Sequence, residues 1–163
     1  MGLTSYAQTG INAYPFKPEE DRRFRRLEQK VVAKYFWDFS VQGGASTGAL
    51  TMKPYYSAAQ LPANSIIVRS YFITNTAVTS NGGNIGKAAF ACGSASILAA
   101  TTVQGNFASQ YAVFDGLQTG ASTAFSNVVT QCSPTITWSI QSATAGRIDL
   151  WIEYVKPADI NAQ

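Results

Sequence analysis

No histidine occurs anywhere in the 163 residues. That absence removes the imidazole base near neutral pH, and with it Ser-His-Asp and Cys-His nucleophile systems. Charge is scarce as well: Asp, Glu, Lys and Arg make up 13% of the chain, against about a quarter in an ordinary soluble domain. Cysteine is limited to Cys92 and Cys132, too few for a structural zinc site, which takes four Cys or His ligands. No apolar run approaches the roughly 20 residues of a membrane span. The first ten residues lack the basic start and apolar centre of a secretion signal. The expectation is a soluble product made in a cytoplasm, without cofactor or membrane. In a reducing compartment the two cysteines are expected as buried thiols, ahead of a cross-strand disulfide, which requires Cα atoms within about 7 Å. Hydrophobic content of 46% suffices for a core and argues against disorder over the whole length.

What charge there is lies in one place. Residues 17–38 hold twelve of the 21 charged residues, whereas residues 88–146 hold only Asp115. A long uncharged β region behind a charged arm suggests a subunit that works docked in an assembly. Residues 1–17 scatter Tyr6, Ile11, Tyr14 and Phe16 among small polar residues and cannot form a core alone. Pro18 followed by Glu19, Glu20 and Asp21 reads as a helix start. Phe24, Leu27 and Val31 continue at helical spacing, predicting a short helix over about 18–29 that needs a packing partner.

From Val31 the period becomes two. Val31, Ala33, Tyr35, Trp37, Phe39 and Val41 share one face of a predicted strand that ends at the Gly43-Gly44 loop. Residues 50–61 read as irregular, and Leu61-Pro62-Ala63-Asn64 as a turn. Strands are predicted over 65–74, 85–92, 96–103, 109–114, 124–132, 135–141 and 147–155, with turns at 81–84 and 144–146. In the last strand Ile148, Leu150, Ile152 and Tyr154 face inward; Arg147, Asp149, Trp151 and Glu153 face outward. The pattern predicts an all-β, jelly-roll-like β-sandwich of about eight strands over 30–163, preceded by an arm with a short helix over 1–29.

The remaining chemistry is thin. Asp149 and Glu153 lie about 13 Å apart along a strand, beyond the roughly 5–10 Å of a glycosidase pair, and read as solvated charges. Asp115 before Gly116 reads as a turn residue. Asn84-Ile85-Gly86-Lys87 lacks the glycine spacing of a phosphate loop. The Arg22, Arg23, Arg25 and Arg26 cluster around Phe24 is the candidate basic site, but interleaved acids leave residues 17–38 at only +2. Protein docking or a solvated face is therefore favoured over nucleic acid. Trp151 reads equally as an interface contact and as a residue packed against a second sheet or the arm. Tyr55, Tyr56 and Trp151 are the candidate stacking platforms if the module binds glycans.

Four stretches together resemble small β-domain proteins encoded near the capsid gene of tailed bacteriophages. They are the turn-to-strand stretch 61–68, Ile85-Gly86-Lys87, Ile97-Leu98-Ala99-Ala100-Thr101 and the closing stretch 144–155. The resemblance spans about 61–155. It implies a virion structural role without catalytic residues: capsid decoration (cement), auxiliary head protein or head-fibre base. Such proteins often assemble as trimers, so it further implies homo-oligomers and contacts with a major capsid protein or other virion subunits. Tyr14, Phe16, Arg22, Arg23, Phe24, Arg25, Arg26 and Trp151 are the expected partner contacts. The alternatives are a coat protein that builds the shell itself and a glycan- or receptor-binding module.

Overall fold

The computed structural model describes residues 31–56, 60–116 and 126–156. In chain order the elements are β1 (Val31–Asp38), α1 (Phe39–Gln42), β2 (Ala49–Thr51), β3 (Lys53–Pro54), β4 (Ser65–Ser80) and α2 (Asn81–Asn84). They continue as β5 (Lys87–Cys92), β6 (Ala95–Thr102), α3 (Val103–Asn106), β7 (Val113–Asp115), β8 (Ser126–Val128), β9 (Thr135–Ser139) and β10 (Ala143–Val155). The helices are single turns. Among the described residues the strands pair antiparallel. A six-stranded sheet runs β3-β1-β10-β4-β7, with β8 also on β4, and a four-stranded sheet runs β2-β9-β5-β6. The predicted all-β sandwich is therefore what forms.

Two aromatic contacts weld the sheets. Trp37 of β1 meets Trp138 of β9 with ring centroids 4.8 Å apart. Phe72 of β4 meets Phe90 of β5 at 4.6 Å. Phe107 and Phe114 extend the second cluster, and Tyr35, Ile136, Ile148, Leu150 and Ile152 fill the space between. Such rings bury large apolar areas and add about 0.5–1.5 kcal/mol per pair beyond that area. Burial pushes the Tyr35 phenol pKa well above its ordinary value, with the charge of Tyr154 acting the same way.

Several boundaries differ from the sequence pattern for identifiable reasons. The first strand stops at Asp38, whose Oδ1 accepts from the Ser40 N–H at 2.9 Å and starts a helical turn. Gly43, at φ +71°, closes that turn. Phe39 and Val41 thus leave the strand, and Val41 is exposed. Within the stretch read as irregular, β2 and β3 are edge strands. β4 runs on past Thr74 to Ser80, pairing with β10 along its length; small polar residues conceal the alternation that buries Thr74, Val78 and Ser80. The strand expected over 109–114 is only Val113–Asp115, preceded by Tyr111 at φ 62°. Within 124–132, β8 covers Ser126–Val128, and Cys132 makes an isolated bridge to Leu61. Asp115 therefore lies in a strand rather than a turn.

Residues 144–146 also do not turn the chain. They lie inside β10, where successive register shifts against β4 mark a bulged stretch. Gly146 sits at φ +123°, and a Cβ there would approach Val78 Cα to 2.7 Å, so bulge and close approach both require glycine. The two cysteines are bonded as a disulfide, with Cα atoms 5.6 Å apart. This corrects the expectation of free thiols: the Leu61–Cys132 bridge draws residue 132 beside the end of β5, a proximity with no local sequence signal. Among the described residues no helix is long and apolar enough to cross a membrane.

Candidate interaction surface

Antiparallel register lines up the outward residues of the six-stranded sheet in rows. One row is Lys34, Trp151, Tyr71 and Asp115 across β1, β10, β4 and β7. The next is Phe36, Asp149, Ile73 and Val113. A third pairs Asp38 with Arg147. Period-two alternation produces these rows directly, because each inward Ile or Leu of β10 leaves a polar or aromatic neighbour outside.

Tyr55 folds over this face from the end of β3, held by its N–H donating to the Lys34 carbonyl at 3.1 Å. Its hydroxyl donates to Asp149 Oδ2 at 2.6 Å and accepts from Arg147 Nη2 at 2.8 Å. Lys34 Nζ lies 3.1 Å from the same carboxylate oxygen. Arg147 also reaches Asp38 at 3.6 Å. Asp149 is only 4% exposed, so the reading of a solvated carboxylate is corrected. A buried carboxylate is tolerable here because cations and a phenol surround it. Burial works to lower the Lys34 pKa, but the hydrogen bond and charge of Asp149 outweigh it and the net shift is upward. The hydrogen bond with Tyr55 raises that of Arg147 against an opposing burial effect.

Aromatic rings cap the network. Lys34 Nζ sits 3.6 Å from the Tyr55 ring centroid and 4.6 Å from that of Trp151. Trp151 stacks on Tyr71 at 5.7 Å, and Phe36 meets Tyr55 edge-on at 5.2 Å. Farther across, Arg69 pairs with Asp115 at 3.0 Å on the exposed rim. Arg69, Tyr71, Val113, Phe114, Asp115 and Glu153 line an open cleft of roughly 360 Å³. Interlocked cations, carboxylates and rings of this kind suit recognition of another surface.

The opposite outer face is chemically different. On the four-stranded sheet, Thr135, Thr137, Ser139, Ala89 and Ala91 alternate with buried residues. Lys87 is the one charged residue there among those described.

Of the expected contact residues, Trp151 lies at the centre of the aromatic row, half-buried and turned away from the second sheet. Tyr14, Phe16, Arg22, Arg23, Phe24, Arg25 and Arg26 lie outside the described residues, as does the helix expected over 18–29. Tyr55 and Tyr56 part company: Tyr55 is tied into the ion network, whereas Tyr56 is 78% exposed. Sequence reasoning missed the grouping of Lys34, Tyr55, Arg147 and Asp149, whose members come from distant parts of the chain. Its visible trace was the shared outward parity of Lys34 on β1 and Arg147, Asp149 and Trp151 on β10.

No family model matches the chain, and no curated protein matches it either. Among solved structures, it is similar to a chain described as cyanophage Pam1 capsid asymmetric unit. The match has a TM-score of 0.53 and 20% sequence identity, and covers 79% of this chain and 86% of that one. At that identity the likeness is one of fold: the sandwich and most of its length are shared.

Proposed function

We propose that the protein is a non-enzymatic structural component of a phage virion, decorating and stabilising a capsid through self-association and contacts of residues 1–29. The fold likeness to a chain from a phage capsid asymmetric unit, extending over 79% of this chain, carries the reading. The two-sided sandwich supports it: one outer face bears an aromatic and ionic layer, and the other is nearly uncharged. A subunit wedged between neighbours has use for two dissimilar flat faces. The partners would be a major capsid protein and further copies of this chain, with a trimer as the favoured state. The jelly-roll-like reading of the sandwich and the location on the capsid surface belong to the same proposal. Engagement of Tyr55 and Trp151 in the ion network makes them poor open stacking platforms, so the glycan-binding alternative gains nothing from the geometry.

The test is binding to empty phage heads. Full-length protein should co-sediment with heads. A variant lacking residues 1–29 should lose binding while keeping the β-sheet circular dichroism of the parent. Undiminished decoration by the truncated protein would sink the arm's role, and no binding by the full-length protein would sink the virion reading.

A further inference from the structure

The outer face of the six-stranded sheet has an unsatisfied end. Because β1 and β10 are antiparallel, Val31 lies beside Tyr154 and Val32 beside Glu153, and Glu153 lies beside Arg69. Residues 1–30 therefore join the sheet at this end. Val32 and Ile66 are 52% and 37% exposed here, next to the cleft containing Tyr71, Asp115 and Glu153. Arg69 commits its guanidinium to Asp115. Glu153 has no ion-pair partner among the described residues; two carboxylates thus face one cation. One uncompensated carboxylate, Glu153, thus sits beside exposed apolar side chains.

One segment of this chain has the complementary pattern: Arg22, Arg23, Phe24, Arg25, Arg26 and Leu27. We propose that this segment docks on the Val32, Ile66, Tyr71, Asp115 and Glu153 surface of a second copy. The inference rests on the self-associating reading above and names its receptor site. Reach alone would let the segment contact its own sheet: Arg26 precedes Val31 by five residues, a span of at most about 17 Å, and Arg69 lies two strand spacings, about 10 Å, from β1. The intervening Leu27, Glu28, Gln29 and Lys30 include no Gly, Pro or Asn, the residues that most readily reverse a chain tightly. That composition favours a neighbour's sheet over the chain's own as the receptor. Guanidinium groups suit the site, since they pair with carboxylates and stack on tyrosine.

The experiment uses the full-length chain. Glu153→Lys should weaken self-association about tenfold by sedimentation velocity, because it opposes like charges across a contact. Reversing Arg22, Arg23, Arg25 and Arg26 to Glu in the same chain should restore it. In a second arm, Arg25→Cys with Glu153→Cys under copper–phenanthroline oxidation should give covalent dimers on a non-reducing gel. Unchanged self-association of a folded Glu153→Lys variant, a monomeric parent, or a cross-link formed only within one chain would each overturn the docking. Those results leave head binding by the parent as a separate readout. Arm exchange without head binding would refute the virion reading alone.

Discussion

Asp149 gathers a lysine, an arginine and a tyrosine around one buried carboxylate, so its removal strands Lys34 and leaves Arg147 with Asp38 alone as a carboxylate partner. Asp149→Ala is expected to destabilise the fold by about 2–4 kcal/mol in urea unfolding. Asp115→Asn removes an ion pair whose side chains are 57% and 66% exposed, and should leave the unfolding midpoint unchanged. Equal effects from both would refute the importance assigned to burial. Alkaline pH supplies a second residue-level test. Tyr35, Tyr154 and Lys34 all have folded pKa values shifted upward. Each folded group holds its proton more tightly than its unfolded counterpart. The resulting stability is complete below the unfolded values, near 10, and is lost as pH rises through the folded values. Melting temperature should therefore decline above about pH 10; a rise there would contradict the shifts. At Gly146, an added methyl meets Val78 in a backbone region L-residues rarely adopt. Gly146→Ala should reduce the yield of folded protein sharply.

Among the elements, β4 and β10 form the spine, and the disulfide ties the end of β5 to the segment entering β9. The bond spans 40 residues, so loop closure predicts about 4 kcal/mol of stabilisation. Reduction, or Cys92→Ala with Cys132→Ala, should lower the melting temperature by several degrees in calorimetry; no shift would mean the bridge adds nothing. Trp138→Ala removes the cross-sheet contact to Trp37 and is expected to cost about 3–5 kcal/mol. The strands behind these predictions were legible to different degrees. β1, β9 and the second half of β10 announce themselves because large apolar residues alternate with polar ones. The end of β4 does not, because Asn75, Thr76 and Thr79 give no contrast with Thr74 and Ser80. β2 and β3 are too short to show a period. Residues 144–146 resemble a turn since the glycine that serves a bulge also serves a turn. Parity on β10 put Trp151 on the outward side but left open whether it met a partner or packed against a second sheet or the arm. The charge network escaped notice because its members meet only through strand pairing and the fold-over of Tyr55.

At the scale of the molecule, the sandwich separates its chemistry by side. Lys34, Asp38, Lys53, Arg69, Asp115, Arg147, Asp149 and Glu153 belong to the six-stranded sheet, while the outer face of the four-stranded sheet shows Lys87 as its one described charge. Oligomers held by arginine–carboxylate contacts should loosen with salt. Raising ionic strength from about 0.05 to 0.5 M should shift light-scattering mass toward the monomer; insensitivity to salt would point to apolar contacts instead. The segregation also turns two amines into compass points. Acylating the assembled protein and mapping the modified peptides would compare Lys87 on one side with Lys53 on the other. If Lys87 alone is shielded, the neutral sheet faces the partner; if Lys53 alone is shielded, the aromatic and ionic sheet does. A single chemical footprint would thus read the subunit's orientation without a tag or an engineered label.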